Sequence, residues 1–120
     1  NRRWFEERLV EEIERARRYG HALGFALLDI DHFKRINDTA GHAGGDAVLV
    51  RLAGVLRDRL RQSDAIARIG GEEFAIVFAE TDAQQAAQKM EQLRQAIRST
   101  RFDDVGAGVQ VTISAGVAQW

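Results

Sequence analysis

The chain contains no cysteine. This excludes a disulfide framework and thiolate chemistry, and it is compatible with a reducing compartment. Long apolar runs are missing too: the longest are strand-sized, well short of the roughly 20 residues a membrane-spanning helix needs. No secretory leader pattern opens the chain. Neither sign of charge dominates, with a formal net charge of −1 and a pI near 6.3. No whole-surface field therefore gathers a nucleic-acid polymer or an anionic membrane, and an anionic ligand must be held by local groups. Internal repeats, low-complexity tracts and proline-rich linkers are likewise absent. What remains is 120 residues, 45% apolar and 29% charged, the profile of one soluble globular domain with a single core.

Residues 1–19 place Phe5, Leu9, Ile13 and Ala16 at helical spacing, with Glu11/Arg15 and Glu14/Arg18 at i,i+4 on the outer surface. This predicts an amphipathic helix from the first residue, and Trp4, Phe5 and Tyr19 read as its core side chains. After Gly20 and Gly24, FALLDI reads as a short strand apolar on both faces, hence central. A second helix is expected over 33–40, N-capped by the Asp31 side chain. GHAGGD follows as a glycine-rich connection, and Leu49, Leu52, Leu56 and Leu60 mark a long helix over 47–60. AIARI, GG and EFAIVF predict a β-hairpin whose glycines supply positive φ angles. Thr81 and Gln84 predict a capping box opening a helix with Ala86, Met90, Leu93 and Ile97 inward. Val109, Val111, Ile113, Ala115 and Val117 alternate with Gln110, Thr112 and Ser114, as in a strand with one buried face. The order of elements favours an α+β domain with a mainly antiparallel sheet and helices on one or both faces.

Two acidic stretches carry potential chemistry. Strand alternation in FALLDID puts Asp29 on the face of Phe25 and Leu27, where a carboxylate is costly unless something positive meets it. The plainer alternative is that Asp29 and Asp31 merely open the next helix. The N–H groups of His32, Phe33 and Lys34 then form a helix start suited to phosphate, with the Lys34 ammonium close by. In RIGGEEFAIVF, Glu72 and Glu73 occupy a bend after Gly70 and Gly71. Hairpin tips are often acidic simply because they are exposed. With Asp29 on a neighbouring strand the reading changes, since two carboxylates about 4 Å apart repel by about 4 kcal/mol at an effective dielectric near 20. Three converging acids call for a cation, and oxygen-only ligands favour Mg²⁺ or Mn²⁺ over Zn²⁺. His21 and His32 read as surface or packing residues, and His42 as part of a loop.

LLDIDHFKRINDTAGHAGGDAVL followed by ARIGGEEFAIVF resembles the GGDEF family of diguanylate cyclases, in the variant whose signature reads GGEEF. The likeness runs from Asn1 to VTISAGVA. It implies a fold like that of nucleotidyl cyclases and polymerase palms. It also implies that Asp29, the Ile30 carbonyl and Glu72 hold two divalent ions, Mg²⁺ or Mn²⁺, and that Glu73 supports the same site. Phe33 and Lys34 receive the triphosphate through their N–H groups, Gly70 and Gly71 lie along the nucleotide, and Asn37 with Asp46 reads guanine. Guanine offers N1–H and the N2 amine side by side, which a carboxylate can accept as a pair, whereas adenine has no such edge. Without the family, Asn37 is an ordinary helical residue and Asp46 an ordinary N-cap.

The resemblance further implies that two such domains pair as a homodimer and condense two GTP into cyclic di-GMP, releasing pyrophosphate. The domain would be the cytoplasmic output of a signalling protein under an upstream sensor, with no nucleic-acid polymer as partner and no membrane contact of its own. The alternative is a non-catalytic module that binds GTP or cyclic di-GMP. An inhibitory product site, R-x-x-D, is implied at Arg61 and Asp64, although Arg35/Asp38 and Arg101/Asp104 also fit the bare pattern. The competing reading is a helix-end ion pair worth at most about 1 kcal/mol. Ala40 and Ala79 stand where the family often has a larger residue and a proline. After GVA the family continues through a helix bearing a lysine and an arginine that meet the phosphates, then a closing strand. Residues 1–120 are therefore read as a single domain lacking those two elements.

Overall fold

The computed structural model describes residues 2–106 and 108–120. The chain runs α1 (Arg2–Tyr19), β1 (Gly24–Ile30), α2 (Phe33–Arg59), β2 (Ala65–Arg68), β3 (Glu73–Phe78), α3 (Ala83–Arg98) and β4 (Ile113–Gln119). Asn1, expected to begin the first helix, lies outside the described residues. Among these residues the strands form one sheet in the order β2-β3-β1-β4, and every neighbouring pair is antiparallel. This is the expected α+β architecture, with β1 at the centre.

Two apolar layers sandwich the sheet. On one face, Ala26, Leu28 and Ile30 of β1 and Phe74, Ile76 and Phe78 of β3 meet Leu49, Leu52 and Leu56 of α2 and Ala86, Met90, Leu93 and Ile97 of α3. On the other, Phe5 and Ala16 of α1, with Leu9 and Ile13 beside them, cover Ala65, Ala67, Ala75 and Val77. That helix shelters β2 and β3 but leaves the far half of the face open, so Leu27 is 49% exposed. Trp4 and Tyr19 also face water, at 47% and 63% exposure. Their assignment to the core is corrected, because the buried stripe of α1 is narrow and only Phe5 of the three lies on it. Gly20, at φ 70, ends α1, and the His21 N–H reaches back to the Ala16 carbonyl at 3.0 Å, a glycine-closed helix end.

The expected connection GHAGGD shrinks to one residue. Within α2 only Gly41 leaves helical dihedrals, at φ 77 and ψ 172, a region open essentially to glycine. Gly44 and Gly45 lie inside the resumed helix, buried where its backbone approaches Ala40 and Asn37. These two glycines answer a need for space, and Asp46 is an interior helical residue rather than an N-cap.

Three further expectations shift. The capping box of α3 is one residue later than Thr81/Gln84: Asp82 Oδ1 accepts from the Gln85 N–H at 2.8 Å, and Gln85 Oε1 accepts from the Asp82 N–H at 3.0 Å. The strand over 109–117 is regular only from Ile113. Val111 and Ile113 are buried, but Ala115 and Val117 are exposed because β4 is an edge strand that α3 covers incompletely. Gly70 and Gly71 do not adopt positive φ. The connection spans residues 69–72, longer than a two-residue turn, and the N–H groups of Ile69 and Gly70 both bond the Glu73 carbonyl, at 2.9 and 3.4 Å.

Candidate active site

Antiparallel pairing delivers the acidic residues to one end of the sheet. Asp29 lies directly across from Glu73 on β3 and from Ser114 on β4. One position on, the Ile30 N–H donates to the Glu72 carbonyl at 3.2 Å. Asp29, Ile30, Glu72 and Glu73 are thus adjacent through the main chain, as the sequence suggested. Asp29 and Glu73 are exposed and Glu72 half-buried. The expectation of a desolvated Asp29 is corrected, since α1 stops short of this corner. Among the described residues no group of three or more Asp, Glu, His or Cys side chains is gathered closely enough to hold a metal ion. The main chain aligns the acids, while their side chains are not drawn to one point. The donors on offer are carboxylates and a carbonyl. Such hard oxygen ligands fit Mg²⁺ or Mn²⁺.

Arg68 steadies the bend that carries Glu72. Its Nε donates to the carbonyls of Gly70 and Gly71 at 3.0 and 2.9 Å. Sequence reasoning passed over Arg68, although a fork-shaped donor at the end of a hairpin arm is a natural partner for turn carbonyls.

The start of α2 departs from expectation. Asp31 does not cap it. Its carboxylate accepts from Thr112 Oγ1 at 2.8 Å and Ser114 Oγ at 2.6 Å. His32 stands at the N-cap position in the left-handed region, φ 56 and ψ 37, and makes no side-chain cap bond. The N–H groups at Phe33 and Lys34 therefore begin a helix whose positive end is not neutralised by its own cap. Lys34 is exposed beside them. Half-buried Phe33 and Asn37 gather around Gly45, where an added Cβ would run into the Asn37 amide and come within 3.3 Å of Phe33 Cζ. Asp46, next along, is exposed. Asn37 and Asp46 stand on opposite sides of the Gly41 kink.

The family model described as diguanylate cyclase, GGDEF domain, matches residues 1–120. The chain belongs to the GGDEF family. Diguanylate cyclase DgcP of Pseudomonas aeruginosa is 50% identical over 117 residues, an alignment covering 98% of this chain and 17% of DgcP. This GGDEF domain therefore spans well under two thirds of that relative. Among solved structures, the GGDEF domain of PA1120 (YfiN or TpbB) from Pseudomonas aeruginosa is similar with a TM-score of 0.92 and 35% identity, covering 100% of this chain and 75% of that one. The GGDEF domain of DgcB from Caulobacter crescentus, solved in complex with c-di-GMP, gives a TM-score of 0.90 at 35% identity, covering 100% of this chain and 72% of its own. No helix among the described residues is long and apolar enough to cross a membrane.

Arg61 and Asp64 lie apart from the acidic corner, between α2 and β2. Asp64 Oδ2 accepts from the Arg61 N–H at 2.9 Å, and Oδ1 accepts from Arg61 Nη2 at 3.1 Å. The Asp64 side chain is 0% exposed, whereas that of Arg61 is 53% exposed. Arg61 Nη2 also reaches the Ala79 carbonyl at 2.7 Å and Thr81 Oγ1 at 3.2 Å. The helix-end ion pair is formed, and Arg61 faces a cavity of about 210 Å³ lined by Phe78, Glu80, Gln85 and Lys89. Among the described residues the other two R-x-x-D patterns bring no Arg–Asp pair of that kind, and Asp104 pairs with Arg51 at 2.6 Å.

Proposed function

We propose that this domain condenses two molecules of GTP into cyclic di-GMP. The observation that carries the reading is the alignment of Asp29 with Glu73, and of Ile30 with Glu72, beside an N-terminus of α2 left without a side-chain cap. One edge offers hard oxygen donors and the other offers N–H groups, which is what a metal-bound triphosphate requires. Family membership and the diguanylate cyclase relatives point the same way.

Asp29, the Ile30 carbonyl and Glu72 would hold Mg²⁺ or Mn²⁺, with Glu73 supporting them. When bound, the metal supplies charge neutralisation at the phosphates and lowers the pKa of the attacking hydroxyl. The N–H groups of Phe33 and Lys34 and the Lys34 ammonium hold the triphosphate. Gly70 and Gly71 let the nucleotide approach the hairpin without a side chain in the way. Asn37 and Asp46 read the guanine edge, and Phe33 lies against it. Two domains face each other with one GTP each. Each 3′-hydroxyl attacks the α-phosphorus of the other nucleotide, forming a 3′–5′ phosphodiester. The bond to the β-phosphate oxygen breaks, pyrophosphate leaves, and the hydroxyl proton passes to solvent. Arg61, through its exposed guanidinium, would bind product and restrain turnover, with Asp64 joining when the ion pair opens. An upstream sensor would control pairing of the two domains in the cytoplasm.

Incubation of the full chain with GTP and Mg²⁺, followed by anion-exchange chromatography, should yield cyclic di-GMP and pyrophosphate. Glu72→Gln and Asp29→Asn should form neither while keeping the wild-type circular dichroism spectrum. Wild-type turnover in either variant would remove the metal assignment, and GTP binding without product would make the domain a sensor.

A further inference from the structure

Asp31, in the turn between β1 and α2, has no task in the scheme above, yet it is the most heavily tied residue of that turn. Its N–H bonds the Thr112 carbonyl at 2.9 Å. Thr112 Oγ1 donates to one carboxylate oxygen at 2.8 Å, and Ser114 Oγ donates to the other at 2.6 Å. The tie thus links the end of β1 to residues more than eighty positions away in the chain. Both flanks of Asp31 matter. On one side, Ile30 pairs with Ile113 and donates to the Glu72 carbonyl. On the other, His32 sits in a left-handed conformation without a side-chain cap, and its carbonyl accepts from Arg35 and Ile36 to begin α2. Two residues, Asp31 and His32, thus separate the acid-bearing strand end from the first residue of α2, and Asp31 is fastened to β4 and its approach.

We propose that Asp31, Thr112 and Ser114 form a positioning clasp. It fixes the distance and angle between the Asp29 carboxylate near the end of β1 and the N–H groups at the start of α2, so that a nucleoside triphosphate and its divalent cation are met by both at once. The proposal rests on the assignment of those two elements to metal and phosphate. Asp31 is a positioning residue, not a catalytic one. Its chemistry makes a clear demand: a carboxylate accepts from both hydroxyls, in short charge-assisted bonds. Asparagine in its place accepts from one hydroxyl and donates to the other, which keeps the clasp without the charge. Valine at position 112 and alanine at 114 remove the donors and leave Asp31 untouched. Groups that orient metal ligands from behind typically govern about 10–100-fold in metal affinity or activity.

The test uses the full chain as wild type, D31A, D31N and the double variant T112V/S114A. Two measurements are made: amide hydrogen exchange across residues 30–35 without nucleotide, and Mg²⁺-dependent binding of a non-hydrolysable GTP analogue. D31A and T112V/S114A are expected to exchange faster over that segment alone and to bind the analogue about 10–100-fold more weakly. The loss in turnover should fall on KM rather than kcat, and D31N should restore both exchange and binding. Wild-type exchange and binding in T112V/S114A would overturn the clasp. So would a D31N variant as impaired as D31A, because charge would then be the operative property. Loss of protection throughout β3 and α3 would assign the hydroxyls to fold stability and overturn it equally. Faster exchange in a protein that binds no GTP analogue in any form would support the clasp and remove the nucleotide assignment instead.

Discussion

Asp29 and Glu73 face each other directly across the β1–β3 ladder, in a register that carries on through Leu28 with Phe74 and Leu27 with Ala75. Opposed like charges weaken a strand pair, by roughly 0.2–1 kcal/mol at an exposed position. Asp29→Asn or Glu73→Gln should therefore raise the unfolding free energy from urea titration in EDTA by about that amount while abolishing (Asp29) or weakening (Glu73) Mg²⁺-dependent cyclic di-GMP formation. A variant that loses activity and stability together would mean that the pair serves the fold.

Two glycines of α2 should respond to alanine in opposite directions. Gly41 has open space around it but sits at φ 77 and ψ 172, so Gly41→Ala should cost about 1–3 kcal/mol through backbone strain alone. Gly54 also has open space and is helical, so Gly54→Ala should stabilise by about 0.5–1 kcal/mol. Urea titrations of the two variants side by side decide this.

Base choice should follow Asp46. Asn accepts through one oxygen and cannot take both guanine donors, and a hydrogen bond to a charged group is worth about 1.5–3 kcal/mol. Asp46→Asn should thus lower the preference for GTP over ATP by roughly 10–100-fold in a competition assay. An unchanged ratio would place guanine recognition elsewhere.

The cap of α3 separates neighbouring residues. Asp82→Ala should cost about 1 kcal/mol, and Gln85→Ala should lose the reciprocal bond, whereas Gln84→Ala should be nearly silent in thermal unfolding.

Glu91 supplies a pH signature. Hydrogen bonds from Arg94 first and Gln95 second hold its carboxyl down to about 2, below the ordinary carboxylate range. A depressed carboxyl contributes stability above its unfolded value and loses it as pH falls through the folded one. The pair is exposed, so the effect is small. The difference in thermal midpoint between wild type and Glu91→Gln should shrink steadily as pH falls from about 5 towards 2.

The framework was legible in the residues because it rests on periodicity. Leu49, Leu52 and Leu56, or Ala86, Met90, Leu93 and Ile97, have one way to be buried together, and FALLDI has one place in a sheet. What could not be read were relations set by tertiary contact. Asp31 looked like a cap because local sequence offers it the N–H groups of α2, but two hydroxyls from the far end of the chain outcompete them. Gly44 and Gly45 looked like loop because glycine signals backbone freedom equally with lack of volume, and only the neighbouring Ala40 and Asn37 reveal which applies. Ala115 and Val117 follow the alternation of a buried strand yet stay wet, because alternation cannot tell an edge from a centre. Within the candidate site, the pairing of Asp29 with the GGEEF bend was readable once a hairpin and a central strand were granted. The Arg68 brace was not.

The break at Gly41 has a consequence for how such a domain could change its substrate. The two groups assigned to the base ride on separate helical arms, so their spacing follows the φ and ψ of Gly41 and the seating of Gly44 and Gly45 against Ala40 and Asn37, apart from either side chain's rotamer. A change at that hinge would alter the spacing while leaving both residues and the entire acidic corner in place.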